Sequence, residues 1–191
     1  MKWAVIVWSL AVLGGTGAVV AYKLRPGAAA EAPHTWPAGS ALARTAGRPT
    51  LLVMAQPMCP CTEATLEQLA HVLSDRGDTL DTFVVFTIPE GAEDWERSST
   101  LKRARAMKGV TVLLDRDGSE AVRFGSYTSG QVLFFDASGE LKFAGGITGG
   151  RGHQGDNAGE SRLLAVLAGA RPERATAPVF GCELHRAGGA R

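Results

Sequence analysis

Two cysteines separated by one residue, Cys59 and Cys61, are the side chains of this sequence best suited to chemistry. They lie in QPMCPCTEATLEQL (residues 56–69), after a short apolar run and at the start of a segment whose leucines have helical spacing. The first turn of a helix presents backbone N–H groups and a partial positive charge, which favour a thiolate over a thiol. Two thiols at such a position predict thiol–disulfide chemistry.

The spacing of this pair leaves three interpretations open. A disulfide across Cys-x-Cys closes a small ring that strains the preferred geometry, and strained disulfides are more oxidising and more labile. Two close thiolates also suit a soft metal ion such as Cu(I), so a copper site is the alternative hypothesis. Buried, inert cysteines are the third interpretation, which a position at a helix start beside two prolines disfavours.

The third cysteine, Cys182, lies close to the C-terminus after the apolar residues Val179 and Phe180. These two side chains could hold the segment on an apolar surface. Cys182 would then resolve a disulfide with the cysteine pair, supply a third metal thiolate, or do neither. The first two roles are favoured over the third only slightly, because chain ends are usually variable and mobile.

The pattern of apolar residues predicts a mixed α/β domain. Predicted strands cover residues 50–55, 82–88 and 110–114, a predicted hairpin covers 131–146, and predicted helices follow Cys61 and cover 93–107 and 157–167. An early strand–helix–strand unit implies parallel central strands, and the later hairpin adds an antiparallel edge. The expected fold is therefore a mixed sheet with helices on both faces.

The N-terminus predicts a membrane-spanning helix. Residues 3–22 carry no charge and are enough to cross a bilayer core, with Lys2 on one side and Lys23 and Arg25 on the other. The run is longer than a usual signal core, so a retained anchor is favoured over a cleaved signal sequence. Either interpretation sends the rest of the chain across the membrane, where disulfides are permitted.

These patterns divide the chain into four parts. Residues 1–23 form the anchor or signal sequence, 24–47 a tether rich in Pro, Ala and Gly, 48–170 the folded domain, and 171–191 a C-terminal tail. The 191 residues carry a formal net charge of +1 and no basic block, so nothing indicates nucleic-acid binding. Three cysteines are too few for a disulfide scaffold.

Over residues 48–170 the chain resembles the thioredoxin-like superfamily, in particular its membrane-tethered branch of TlpA- and ResA-like proteins. The resemblance rests on the dicysteine after the first strand and on VTVLLDRDGSEAVRFGSYTSGQVLFFDASGELKFAGGI (residues 110–147). That second stretch is similar to the family's strand, D-x-D-G turn, short helix and final hairpin. The Cys-Pro-Cys site most resembles RedB-type proteins. The resemblance implies a thioredoxin-like sheet and an oxidoreductase that exchanges disulfides with protein thiols without a cofactor. It also implies an anchor in the bacterial cytoplasmic membrane, with the domain in the periplasm.

The resemblance also implies residue roles. Cys59 is expected to be the nucleophile, because it is closer to the end of the strand and more exposed, with Cys61 as the resolving thiol and Cys182 as the alternative. In this fold the loop at residues 147–159 returns to the face of the cysteines, so Arg151 and His153 could approach them. His153 would exchange a proton with a thiol or ligate a metal.

That loop has a plainer interpretation as well. It is rich in glycine, and Asp156 or Asn157 could simply cap the last helix.

Two departures from the family pattern bear on function. The family usually has two residues between its cysteines, and it has a cis-proline six residues before the hairpin's first aspartate, a position taken here by Gly130. In the family that proline keeps metals away from the dithiol, so its loss favours metal binding. Sco-like copper chaperones, however, carry a histidine where this chain has residues 127–130, without one.

The first hypothesis is therefore thiol–disulfide exchange at Cys59 and Cys61. The alternative is a Cu(I)-binding module that uses these two thiols with Cys182 or His153. A thioredoxin-like binding domain without turnover is the third.

Overall fold

The computed structural model describes residues 1–28, 31–74, 76, 79–88, 91–170 and 175–184. Within the C-terminal tail, residues 171–174 and 185–191 lie outside this description. The elements in chain order are α1 (Lys2–Lys23), β1 (Thr50–Ala55), α2 (Pro60–Ser74), β2 (Asp81–Thr87), a 3-10 helix (Glu93–Arg97), α3 (Ser99–Ala106), β3 (Val110–Asp115), α4 (Ser119–Arg123), β4 (Gln131–Phe135), β5 (Leu141–Gly146), α5 (Ala158–Leu167) and β6 (Ala175–Thr176).

The strands form one mixed sheet in the order β3-β2-β1-β4-β5-β6. β1 runs parallel to β2, β2 runs parallel to β3, and the hairpin of β4 and β5 joins antiparallel to β1. The predicted mixed sheet is thus confirmed. The sixth strand was not predicted. Only Ala175 and Thr176 pair with β5, and two residues are too few to show the alternation of apolar and polar side chains that predicts a strand.

Both faces of the sheet are covered. Alternate residues of β1 point to opposite faces, so its unbroken apolar run serves two cores. Leu51 and Val53 pack in a cluster with α2, α3 and α5, and Leu52 and Met54 pack in a second cluster with α4. The prediction of helices on both faces is confirmed.

The segment predicted as a tether packs against this second face, so that prediction is wrong for much of its length. Trp36 meets the rings of Phe124 and Phe135 edge-on, with ring centroids 4.9 and 5.1 Å away, and Leu42 is buried in the same cluster. The physical reason is that α4 has only five residues and leaves part of the sheet uncovered. The Pro- and Ala-rich composition predicts a tether, because single packed side chains such as Trp36 and Leu42 produce no periodic pattern in the sequence.

One predicted helix is divided in two. The segment at residues 93–107 forms a 3-10 helix and then α3, which starts where the hydroxyl of Ser98 accepts a hydrogen bond from the N–H of Leu101 at 3.3 Å. Leu101 is buried and anchors this helix in the core.

The N-terminal helix α1 is long and apolar enough to cross a membrane. It has 22 residues and a mean hydropathy of 2.0 over its most apolar window, and none of that window is buried in the fold. A signal sequence has the same properties.

Candidate active site with three converging thiols

The cysteine pair lies at the start of α2, as predicted. Cys59 closes the turn after β1, with its N–H donating to the carbonyl of Gln56 at 3.2 Å, and its own carbonyl accepts from the N–H of Thr62 at 3.0 Å. Pro60 is the first residue of the helix, where a missing N–H costs nothing. Both thiols therefore lie at the positive end of a 15-residue helix.

Two buried hydroxyl groups hold the cysteine turn against the loop before β4. The hydroxyl of Thr62 donates to the carbonyl of Gln56 at 2.7 Å and lies 2.8 Å from the hydroxyl of Ser129, which accepts from the N–H of Gln56 at 3.1 Å. Next to it, the N–H of Gly130 donates to the carbonyl of Met54 at 2.7 Å. These contacts were not predicted, because a serine and a threonine 67 positions apart give no local signal.

The structure brings the third cysteine into this site. The sulfur of Cys182 lies 2.7 Å from the sulfur of Cys59, and the thiol of Cys61 is within hydrogen-bonding reach of both. The carbonyl of Cys182 accepts from the N–H of Ser129 at 2.8 Å, which fixes its position. All three cysteines are free thiols.

The arrangement favours one thiolate and two thiols. A hydrogen bond from Cys182, and then one from Cys61, lowers the pKa of Cys59 well below its ordinary value, although burial opposes the shift. The pKa of Cys61 is raised by its hydrogen bonds to Cys182 and Cys59 and by burial. The pKa of Cys182 is raised chiefly by its hydrogen bond to Cys59, while the charge of Arg151 acts against that rise. The negative charge therefore lies on Cys59.

This charge distribution predicts an unusual thiolate titration. The absorbance at 240 nm of the reduced protein should keep the contribution of one thiolate from pH 8 down to about pH 5, since an ordinary cysteine thiol titrates near 8.5. Over that interval the unfolded chain binds a proton that the folded chain does not, so stability should rise with pH. Three thiolates that disappear together near pH 8.5 would contradict the arrangement.

The expectation that Cys59 is exposed is wrong for this state of the protein. Cys59 is 1% exposed and Cys61 4%. The reason is that the C-terminal segment lies against the pair, with its cysteine sulfur in contact with that of Cys59. Beside the pair is an open cavity of about 540 Å³, lined by Cys59, Met58 and residues 98–100 among others. Met58 is 59% exposed and offers an apolar contact at its rim.

The Gly-rich loop returns to the cysteines as predicted, but through other groups than His153. The backbone of Gly152 hydrogen-bonds Cys61, and the guanidinium of Arg151 donates to the carbonyl of Gly181, the residue before Cys182. The side chain of His153 is exposed, and among the contacts of the described residues none joins its ring to a cysteine sulfur. A role for His153 in proton exchange stays a prediction.

The predicted helix cap in this loop is confirmed at Asn157. Its side-chain oxygen accepts from the N–H of Glu160 at 2.9 Å. The buried carboxylate of Glu160 in turn lies 2.7 Å from Nδ1 of His71 and 2.5 Å from the amide nitrogen of Gln68. Since Gln68 also exchanges hydrogen bonds with the backbone of Gly155, the loop is held against α2.

The spacing of the sulfurs differs from that of a metal site. A zinc–thiolate bond is about 2.3 Å long, so two sulfurs bound to one ion lie much further apart than the 2.7 Å that separates Cys59 from Cys182. In the described part of the chain, no group of three or more His, Cys, Asp or Glu residues has a metal-binding arrangement. Metal binding would require the thiols to separate, and the copper hypothesis stays a prediction.

The sheet order and the dicysteine at the start of α2 decide the fold. The fold is thioredoxin-like. A hypothetical protein from Sinorhizobium meliloti 1021 is 22% identical over 86% of this chain and 96% of its own, with a TM-score of 0.60. An uncharacterized conserved protein from Geobacillus kaustophilus is 16% identical over 87% of this chain and 95% of its own, also with a TM-score of 0.60.

A secreted disulfide oxidoreductase from Mycobacterium tuberculosis is more distant in structure. It is 18% identical over 65% of this chain and 84% of its own, with a TM-score of 0.43. No protein-family model matches the chain, and no curated protein matches it. These likenesses concern the fold alone, so the activity has to be argued from the site.

Proposed function

We propose that this protein is a membrane-anchored thiol–disulfide oxidoreductase that exchanges disulfides with protein thiols on the periplasmic side. The observation that carries the proposal is the environment of Cys59. Its sulfur lies at the positive end of α2 and receives hydrogen bonds from two other thiols, which stabilise its thiolate. The thiolate is the nucleophile in disulfide exchange.

The reaction follows from these protonation states. The Cys59 thiolate attacks one sulfur of a partner disulfide, the partner's S–S bond breaks, and the partner's other sulfur leaves as a thiolate. That thiolate takes a proton, for which the thiols of Cys61 and Cys182 are the adjacent donors. A second thiol of the site then attacks the Cys59 sulfur and releases the partner. The partner is reduced by two electrons, and two cysteines of this chain are oxidised.

Contacts at the end of α1 support a reaction close to a membrane. The N–H of Arg151 donates to the carbonyl of Lys23 at 3.0 Å, and its guanidinium lies 5.1 Å from the ring centre of Tyr22. The same guanidinium contacts Gly181 beside Cys182. With α1 retained as an anchor, the thiols would lie near the membrane surface and meet partner thiols at that level.

A redox titration tests this function. The full chain in detergent would be equilibrated with glutathione buffers of graded ratio, and its free thiols counted at each step. We expect two thiols to disappear together at one midpoint, because one disulfide forms between two of the three cysteines. Three thiols that remain reduced throughout, or that are lost one by one as glutathione adducts, would contradict the proposal.

Copper binding is the second candidate, since three thiols lie close together and would offer soft ligands to one ion if they separated. An anaerobic Cu(I) titration against a competing chelator separates the two. Tight one-to-one binding that vanishes in a Cys59→Ser, Cys61→Ser variant would replace the redox assignment with metal delivery. Partner binding that survives this double substitution, without turnover in the native chain, would instead indicate a binding domain.

A further inference from the structure

The C-terminal segment at residues 179–184 lies against the loop before β4 and is held there by backbone hydrogen bonds. Thr128 and Glu183 form an antiparallel bridge. On either side of it, the N–H of Ser129 donates to the carbonyl of Cys182 at 2.8 Å and the N–H of Leu184 donates to the carbonyl of Tyr127 at 2.9 Å. A single antiparallel bridge of this kind is the smallest unit of strand addition, in which backbone hydrogen bonds give affinity and side-chain pockets give specificity.

Glycines make the path of this segment possible. A Cβ atom on Gly181 would lie 1.8 Å from the carbonyl oxygen of Ser129, and one on Gly146 would lie 2.7 Å from the carbonyl oxygen of Pro178. Both obstacles are backbone atoms and cannot rotate away. The segment can therefore pass over the end of β5 and reach Ser129 only because these two positions carry no side chain.

Further contacts hold the segment on both sides of Cys182. Val179, Phe180 and Leu184 are buried. The N–H of Gly27, in the stretch that follows α1, donates to the carbonyl of Val179 at 2.8 Å, and Arg151 donates to the carbonyl of Gly181. The segment thus lies beside the nucleophile and presents a cysteine to it.

We propose that residues 179–184 are an intramolecular substrate mimic, which occupies the binding site of the partner and forms a disulfide between Cys182 and Cys59. The inference rests on the proposed function and names its partner class. The partner is a protein with an extended segment of the pattern apolar-apolar-Gly-Cys-x-apolar, as in VFGCEL. The glycine before the cysteine is required by the close approach to Ser129.

The electrons balance with a partner disulfide as the oxidant. Cys59 opens that disulfide and forms a mixed disulfide with the partner, and the Cys182 thiolate then attacks the Cys59 sulfur. The Cys59–Cys182 bond forms as the partner leaves with its disulfide reduced by two electrons. One partner sulfur takes the proton of Cys182, and the other takes a proton from solvent. Cys182 comes from a distant part of the chain, so this bond avoids the small strained ring of a Cys59–Cys61 disulfide.

Alkylation of Cys59 in the full chain tests whether the docked C-terminal segment shields this thiol. The reduced protein in detergent is treated with iodoacetamide, and Cys59 labelling is followed by peptide mass spectrometry. Gly181→Val cannot dock the segment and should raise the labelling rate at least about 10-fold. Gly17→Val, where an added Cβ would meet nothing within 4 Å, is the control and should stay within about threefold of the native chain. Native-like labelling in folded Gly181→Val would overturn the proposal.

A milder variant decides the matter if circular dichroism shows that Gly181→Val does not fold. Arg151→Ala removes the side-chain hydrogen bond to Gly181, together with the contact to the Tyr22 ring, and should raise the labelling rate about threefold. An unchanged rate in Arg151→Ala would overturn the proposal in that case.

Two further readouts address the disulfide and the partner pattern. Oxidised glutathione should produce a Cys59–Cys182 disulfide in the native chain, and a Cys59–Cys61 disulfide with free Cys182 would overturn the proposal.

Gly181→Val should react at least about 10-fold faster with the glutathione mixed disulfide of Val-Phe-Gly-Cys-Glu-Leu than with that of Val-Phe-Val-Cys-Glu-Leu. Equal rates would overturn the partner pattern. If Cys59 becomes reactive in Gly181→Val but no variant reduces a disulfide, the proposed function is wrong, while the shielding of Cys59 by residues 179–184 is confirmed.

Discussion

Replacing Cys59 with serine should slow the reduction of a peptide disulfide at pH 7 by at least about 1,000-fold. The exchange needs a thiolate, and the hydroxyl of serine is not ionised at this pH. The native chain places its negative charge on Cys59, because its hydrogen-bonding contacts with Cys182 and then Cys61 lower the pKa of that thiol. The measurement is the initial rate of disulfide cleavage in a fluorescence-quenched peptide by the full chain in detergent.

The matched controls are the same substitution at the other two thiols. Cys61→Ser and Cys182→Ser each keep a hydroxyl that can donate to Cys59, so the first attack should slow by no more than about 10-fold. The Cys182→Ser variant should stop at the mixed disulfide if Cys182 resolves it. A Cys59→Ser chain that keeps its rate, with the loss found at Cys61 instead, would assign the nucleophile to Cys61.

Replacing Gly159 with alanine should lower the free energy of unfolding by about 3 kcal/mol. Alanine ordinarily stabilises a helix relative to glycine by about 1 kcal/mol, so the expected sign is reversed. The reason is steric, since a Cβ at this position of α5 would lie 2.0 Å from the carbonyl oxygen of Gly146. Helix α5 would have to move away from β5, which also guides the C-terminal segment.

Urea unfolding of the full chain in detergent, followed by tryptophan fluorescence, measures this effect. Trp36 packs on Phe124 and Phe135 and should report loss of the fold. Gly17→Ala is the matched control, because this glycine also lies in a helix and its Cβ would meet nothing within 4 Å. A midpoint for Gly159→Ala equal to that of the control would show that α5 is not closely packed on β5.

The burial of Cys59 changes how the site should be pictured. A partner cannot reach a sulfur that is 1% exposed while the C-terminal segment is docked. The rate of exchange should then depend on how often residues 179–184 leave their place, in addition to the reactivity of the thiolate. Contacts from Gly27 and Arg151 to this segment connect its release to the stretch that follows α1.

The sequence alone determined the mixed sheet and the place of the cysteine pair. The strands 50–55 and 82–88 were readable because apolar runs and turn residues act locally, and β1 is buried on both faces as an unbroken run predicts. The start of α2 was readable because Pro60 and the leucine spacing after it are also local signals. The helix cap at Asn157 is a local signal as well, because its side chain accepts from an N–H only three positions along the chain.

Only the tertiary structure decided which thiols meet. Cys182 reaches Cys59 across 123 positions of sequence, along a path that depends on close backbone contacts at Gly146 and Gly181. Such contacts leave no periodic pattern, since a glycine that admits a neighbouring strand looks like any loop glycine. The packing of Trp36 in the stretch read as a tether has the same origin. Long-range pairing is set by the shape of the assembled sheet, which no short segment of the sequence contains.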